Sequence, residues 1–444
     1  MHSAPSLSRV PLSFRMPPVE HGKLSNGTSV YIVPAANKDI LTITLALSYG
    51  STQDVIGGDT SMTMQMLTLG TAALDATAFA EEVERRGCWL RATSNHDSSS
   101  LQVTGLGEWF EDVAQFMADC ILTPRFDAEE LEKLRSRALA DMLIDRKDVD
   151  WLAARAAGQG AFGSHPYARA KDGTPASLAT ITTDHLRLVH QQILHAQRSI
   201  IVAGPVSKEQ VMSVLERCFS PLPPSEPARA LPVPTHGSNL GVIADNSEAV
   251  QTAFRIIIPS VPMKHPDYAA AQLISTVFGG YTLARLFTIL REEKGYTYGA
   301  YASSHSRLLE SSITISTSVG NEFTADTIAT IAAEVDRIGS EPIPEEELEN
   351  ARQYILGSFA RSCETPQQTA YLLYTMLLHD LPHDHFERYI QKIQQLTSED
   401  LLRVQKHIYV RNTWVIGAGG VASVIEPAIA AFAGSVRTWD AAGY

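Results

Sequence analysis

The fold class that the sequence predicts is α+β in two homologous halves, each half holding two related α+β modules with antiparallel or mixed sheets and helices on one face. Three observations predict it. The segment ITTDHLRLVHQQILHAQRSIIVAGPV (Ile181 to Val206) aligns with LTSEDLLRVQKHIYVRNTWVIGAGGV (Leu396 to Val421) at a constant offset of 215 and without a gap. Thr182/Thr397, Leu186/Leu401, Val189/Val404, Ile193/Ile408, Ile201/Ile416, Ala203/Ala418, Gly204/Gly419 and Val206/Val421 coincide. Each copy predicts a Thr-capped helix, a short turn and a buried strand ending in glycine. Between the copies, Ser220 to Asn239 carries six prolines in twenty residues, which predicts a semi-rigid linker rather than a helix or central strand. Finally, 444 residues exceed one ordinary core, and halves of about 200 residues leave room for a pair of α+β units each. The expected boundaries are 1–219, linker 220–239, and 240–444.

In chain order, Asn26-Gly27 is a hairpin signal between KLS and TSVYIVP. DILTITLALSYGS alternates as a half-buried strand. GGDTSMTMQMLTLGT (Gly57 to Thr71) follows, a helix with Met62, Met66 and Leu69 at helical spacing and no ionisable group after Asp59. Asp75 to Arg86 predicts a helix capped by Asp75 and stopped by Gly87. SSSLQVTGL predicts another strand, and Asp127 to Asp145 a long helix with a capping box of Asp127 and Glu130. In the second half, LARLFTILREEKGYTYGAYASS (Leu283 to Ser304) passes at Gly295 from the helical spacing of Leu283, Leu286, Phe287 and Leu290 to alternation. Arg291 is thereby placed in a last helical turn and Tyr298 on the following strand, a corner that can direct both to one place. Spacing alone favours the plainer reading, in which Arg291 offsets the helix dipole and Tyr298 is half-buried packing.

Composition excludes several classes. The net charge of −13 argues against nucleic acid or an anionic membrane as main partner. Cys88, Cys120, Cys218 and Cys363 form no CxxC pair, so core thiols are expected rather than a zinc cluster or a disulfide scaffold. No uninterrupted apolar run approaches the roughly 20 residues of a membrane span. The first 20 residues hold four prolines and no apolar signal-peptide region. A cytoplasmic chain is expected, or a periplasmic one if a leader was removed.

The segment LREEKGYTYG, the preceding FGG (Phe278 to Gly280), HPYARAKDGTPASL (His165 to Leu178), the PRFDAEELEKLR helix start and the paired halves together resemble the pitrilysin and mitochondrial-processing-peptidase family of zinc metallopeptidases, the inverzincins. The resemblance covers nearly the whole chain. It implies two halves of two α+β modules each, and two chains closing like a clamshell around a peptide chamber. It further implies that Arg291 and Tyr298, at the family's spacing of seven, hold the substrate backbone and the carbonyl oxygen as a tetrahedral intermediate forms. A guanidinium and a phenol are suitable donors for developing oxyanion charge.

The family's zinc motif is HxxEH on a helix, two histidines binding zinc while the glutamate activates the metal-bound water. Anchoring on MLTLGT (Met66 to Thr71) puts Ser61 and Gln65 at the histidine positions and Met64 at the glutamate position. Ser and Gln are poor zinc ligands and Met64 exchanges no proton. The third family ligand falls near ALADML, where Asp141 is the nearest carboxylate, read as a solvated helix residue. No zinc is expected on this chain. HDLPHDH (His379, Asp380, His383, Asp384, His385) has a metal-site composition but reads as an exposed connection between helices, and SNHDSSS around His96 as a strand-entry turn.

A substrate-holding pair without a zinc motif implies the non-zinc subunit of a heterodimeric metallopeptidase. Its homologous partner would bear HxxEH and zinc, and unfolded peptides would be hydrolysed in an enclosed chamber, paired loosely to a sheet edge. The isolated chain is expected to be inactive. The rivals are an inert core subunit of a larger assembly and a peptide-binding module. The processing-peptidase regulatory subunit fits less well, because its glycine-rich loop shrinks here to Gly279-Gly280.

Overall fold

The computed structural model describes residues 14–227 and 230–441. Thirteen residues of the amino-terminal segment, and Ala228 and Arg229 of the proline-rich stretch, lie outside the described residues. The first half runs β1 (Glu20–Lys23), β2 (Ser29–Pro34), β3 (Ile40–Leu47), α1 (Asp59–Met66), α2 (Ala76–Arg85), β4 (Trp89–Ser94), β5 (Ser99–Leu106), α3 (Phe110–Leu122), α4 (Ala128–Asp145), α5 (Val149–Phe162), α6 (Pro175–Leu178), α7 (Thr183–His195), β6 (Arg198–Gly204) and α8 (Lys208–Phe219). The second runs β7 (Leu240–Asp245), β8 (Gln251–Pro259), α9 (Tyr268–Ser275), α10 (Arg285–Phe287), β9 (Ala300–Ser306), β10 (Ser311–Gly320), α11 (Thr324–Ser340), α12 (Glu345–Ala360), α13 (Pro366–Leu378), α14 (His385–Gln395), α15 (Ser398–Ile408), β11 (Val415–Gly420), α16 (Ala422–Ile429) and β12 (Ser435–Trp439).

Among the described residues there are two six-stranded sheets, ordered β1-β2-β6-β3-β5-β4 and β12-β7-β11-β8-β10-β9. Inside each, one parallel pair (β2/β6, β7/β11) is followed by antiparallel pairs, so five strands of one sheet have counterparts in the other. The edge strand differs: β1 runs antiparallel to β2, β12 parallel to β7. The α+β class and the two-half arrangement are as the sequence predicts. The pair of modules inside each half is not; each half is built on a single sheet, with its own helices on one face.

Local chemistry explains several element ends. Gly27 takes φ 87° in the β1–β2 turn, Asp75 accepts from Ala78 N at 2.9 Å, and Thr182 and Thr397 cap α7 and α15. The expected box at α4 does not form. Asp127 accepts from Glu129 N at 2.8 Å, while Glu130 turns to Lys133 at 2.9 Å. Alternation in β3 and β5 sends Leu41, Ile43, Leu45, Leu101 and Val103 into the first core with the α1 methionines. The second core is built around Phe254, Ile256, Ile258, Leu286 and Leu290. Tyr268–Glu293, apolar enough in composition to span a membrane, belongs to that core and is mostly buried. Cys88, Cys120 and Cys218 are buried thiols, and Cys363 is half-buried.

The repeat holds in its helix and slips by one residue in its strand. Ile200 and Val202 of β6 pair with Leu45 and Ile43, facing the first core, as Ile416 and Ala418 of β11 pair with Ile256 and Phe254, facing the second. Ile201 and Ala203 face away from the first core and correspond to Gly417 and Gly419. An offset of one strand position exchanges the faces, so the gap-free matches Ile201/Ile416 and Ala203/Ala418 are corrected.

The two faces left open are covered by an exchange. α5, from the first half, lies on the second sheet, its Leu152 and Ala156 against Val242 and Ala244 and its Ala157 and Ala161 against Ile257 and Val415. In turn α13, from the second half, puts Ala370 and Leu373 against Val33, Ile201 and Ala203 of the first sheet.

Candidate functional site

Arg291 and Tyr298 sit where α10 ends. The helix continues from Thr288 to Glu293 with a widened, π-type turn, and Lys294 N donates to Ile289 O, five residues back, at 3.1 Å. Such widened turns leave side chains aimed differently from an α-helix. Gly295 then takes φ 68° and the chain leaves the helix. Two fixtures hold the loop that follows. The Tyr296 ring stacks on Phe323 with centroids 4.2 Å apart, and Thr317 Oγ1 donates to the Gly299 carbonyl at 3.1 Å.

Tyr298 lies in this loop, two residues before β9, not on the strand. The YTYGAYA alternation is therefore misread over its first residues, because the hydroxyl of Thr297 binds Gly299 N (3.1 Å) and O (3.0 Å) and holds a local turn instead of a ladder. Nor is Tyr298 half-buried: it is 89% exposed. Arg291 Nη1 donates to the Tyr298 carbonyl at 2.7 Å, and its Cζ lies 6.0 Å from the Tyr298 ring centre. The corner does bring the two side chains together, at a surface where a guanidinium and a phenol can both donate.

The zinc-motif positions are on α1, which packs in the first half. Ser61 is 7% exposed and donates to Asp172 Oδ1 at 2.7 Å. Gln65, exposed, turns its amide to Ser61 Oγ at 3.3 Å. Met64 is 1% exposed, its thioether inside the core, so it cannot meet a metal-bound water. Asp141 is exposed on α4. A side-chain hydroxyl and a carboxamide satisfied by each other and by Asp172, with a thioether turned inward, do not fit zinc. Among the described residues, no three His, Cys, Asp or Glu side chains are placed to hold a metal ion. No hydrogen bond or ion pair links α1 to the Arg291 corner among the described residues. Asp172, which the sequence reading passed over inside HPYARAKDGTPASL, is the partner that explains Ser61.

Two family descriptions match this chain. Residues 30–151 match "Insulinase (Peptidase family M16)" and residues 180–355 match "Peptidase M16 inactive domain". The chain belongs to peptidase family M16. This bears out the resemblance read from the sequence. The M16 chain is similar to a protein of Helicobacter pylori named non-peptidase homolog YmxG, 22% identical over 76% of this chain and 78% of the other. It is also similar to an uncharacterized zinc protease of Rickettsia felis, 26% identical over 64% and 70%. A probable mitochondrial-processing peptidase subunit beta of Schizosaccharomyces pombe is 22% identical over 69% and 71%. Among solved structures, a peptidase M16 inactive domain from Pseudomonas fluorescens matches with TM-score 0.85 at 22% identity, over 91% of this chain and 98% of that one. A Helicobacter pylori protease matches with TM-score 0.84 at 17% identity, over 91% and 100%.

The two other histidine-bearing segments singled out in the sequence have structural partners. His379 to His385 forms the connection from α13 to α14, as expected. Asp380 there pairs with Lys264 at 2.7 Å and Asp384 with Arg388 at 2.6 Å. His96, between β4 and β5, has its Nε2 3.3 Å from the Arg169 carbonyl. Burial and the nearby Arg307 push its pKa down to about 4. A buried acid pair at the start of α1 was not foreseen. Asp54 accepts from Gly58 N at 2.9 Å and from the Thr60 hydroxyl at 2.5 Å. Asp59 accepts from Ile56 N at 3.1 Å and meets His185 Nε2 at 3.1 Å. Burial, then the hydrogen bond to Asp59, hold the Asp54 carboxyl well above the usual carboxylate range. Asp59 Oδ1 is buried without a hydrogen-bond partner among the described residues.

Proposed function

We propose that this M16 chain is the non-zinc subunit of a heterodimeric metallopeptidase. In this reading it supplies Arg291 and Tyr298 to a peptide held in a chamber shared with a homologous, HxxEH-bearing partner. The observation that carries the reading is a contrast within the chain. The Arg291–Tyr298 corner is braced and solvent-facing, whereas the motif helix has Ser61, Met64 and Gln65 where a metal and a general base would be needed. Arg291 donates to the peptide's carbonyl oxygen as negative charge grows there, and its bond to the Tyr298 carbonyl fixes the guanidinium beforehand. The Tyr298 hydroxyl, exposed and in no hydrogen bond with another described residue, is available as a second donor. Preorganised donors of this kind each contribute about 3 kcal/mol of transition-state stabilisation. The metal centre belongs to the partner, and the names of the Helicobacter and Schizosaccharomyces relatives are compatible with such a division of labour.

The test is reconstitution. Alone, the chain should retain no stoichiometric zinc and cleave no peptide. With its partner, Arg291→Ala should lower kcat about a hundredfold and Tyr298→Phe somewhat less, while sedimentation shows the complex intact. Full activity in both variants, or metal-dependent proteolysis by the isolated chain, would refute the reading. The name non-peptidase homolog favours a second one, a peptide-holding module without turnover. There Arg291→Ala would weaken peptide binding and change no rate.

A further inference from the structure

A cavity of about 750 Å³ lies between the halves, floored by the open face of the first sheet and walled by the α12–α13 corner of the second half. Its floor is polar because alternation puts one face of each strand there. Gln102 of β5 stands opposite Thr44 of β3 and Arg91 of β4, and Ser100 opposite Thr93. Its wall includes Arg361, just after α12, and Gln367 and Gln368 in the first turn of α13. No Asp, Glu, Lys or His lines it, so its only ionisable cations are Arg91 and Arg361, among the described residues. Neither guanidinium has an ion-pair or hydrogen-bond partner among the described residues, although the chain carries a surplus of thirteen acids over bases.

We infer that this cavity is a carboxylate-binding subsite, in which Arg91 and Arg361, brought from opposite halves, receive an acidic side chain or the C-terminal carboxylate of an extended peptide. Guanidinium groups match carboxylates in a two-pronged geometry and are more weakly hydrated than ammonium groups. The N-terminal turn of α13 adds the positive end of a helix dipole. Hydroxyls and amides around the two arginines suit the polar backbone of an unfolded chain, and the volume is that of an ordinary ligand site. The inference rests on the reading of this chain as a peptide-holding subunit, and adds to it a preference in charge.

Calorimetric titration of the full chain with three ten-residue peptides tests it. One is uncharged and amidated, one is amidated with two internal glutamates, and one is uncharged except for a free C-terminal carboxylate. The glutamate or the free-carboxylate peptide should bind about tenfold tighter than the uncharged one, and added salt should erode that margin; whichever gains identifies the source of the carboxylate. In the double variant Arg91→Gln, Arg361→Gln the margin should vanish. The corresponding double lysine variant should keep part of it, and Arg291→Ala all of it. Equal affinity for the three peptides, a margin that survives in the double Gln variant, or no binding of any peptide would overturn the inference. Turnover of the uncharged amidated peptide by the reconstituted complex should fall in Arg291→Ala and Tyr298→Phe, the outcome that tests the oxyanion role, whatever the three peptides show in the titration. A failure of the oxyanion role is thereby distinguished from a failure of this subsite.

Discussion

The two sheets share a topology and differ in how closely a borrowed helix lies on them. Over β11, α5 rests directly on backbone. A Cβ on Gly417 would stand 2.3 Å from Ala157 N, and one on Gly419 2.3 Å from Val149 O. Over β6 the corresponding positions are Ile201 and Ala203, and α13 is held off by their side chains. The consequence is chemical. The first turn of α5 brings Asp150 to Arg255 (2.9 Å) and Ser318 (2.6 Å), so that the cation on that sheet is neutralised. The first turn of α13 offers Gln367, which meets Gln102 at 3.1 Å, and two arginines beside it go unpaired. Side-chain size at two strand positions thus separates a sealed face from one that holds a cavity.

Substitutions can break this contrast. Gly417→Val should have the largest effect, because the clash is with the backbone of α5 and cannot be relieved by a rotamer. A loss of about 4 kcal/mol or more in urea unfolding is expected, and a loss below 1 kcal/mol would mean that α5 does not lie on β11. Ile201→Ala, at the looser contact, leaves a void under α13 and should cost about 3 kcal/mol. If it proved more damaging than Gly417→Val, the order of closeness would be wrong.

A smaller effect separates the helices that open each half's core. At α1 the acid pair is buried. At α9, by contrast, Asp267 pairs with Arg403 near the surface at 2.5 Å, and that hydrogen bond holds its carboxyl below the usual range. Since Asp54 keeps its proton in the folded state above the pH at which it loses it unfolded, its contribution to stability is greatest at acid pH. That contribution falls as pH rises from the ordinary carboxylate range towards neutrality, by at most about 1.4 kcal/mol per pH unit. Asp54→Asn, which can still donate to Asp59, should flatten that slope in denaturation measured from pH 4 to 8. An unchanged slope would place the proton elsewhere. Asp150→Asn should cost least, about 1 kcal/mol, because its carboxylate is partly solvated, and it should raise the affinity of the second sheet's face for anions.

What the sequence showed clearly was local. Thr182 and Thr397 cap because a hydroxyl reaches a backbone N–H three residues on, and both are visible in a short window. The strand after each was mispaired because the chain gains one residue in the turn before β11, and a period of two converts one residue into the opposite face. The Arg291–Tyr298 corner was legible as a juxtaposition, through Gly295, but not as a loop, since Thr297 competes with the ladder only when the fold is formed. Asp127 met the expected Glu130 backbone only in pattern. The exchange of α5 and α13 was hidden for a different reason. An alanine-rich stripe shows that a helix packs closely and says nothing of which sheet it meets. Arg91 and Arg361 are brought together by that exchange, so no window of sequence contains them both.

The same exchange bears on how the polypeptide leaves the ribosome. The helix that covers the second sheet is made early and must wait for β11, near the end of the chain, while the first sheet stays uncovered until residues 366–378 have been synthesised. Neither half can be completed as an autonomous unit during translation, contrary to the usual domain-by-domain order. A message truncated at the proline-rich stretch would yield a sheet without its lid and a small-residue helix without its seat. The product expected is one that chaperones retain, not a working half-protein.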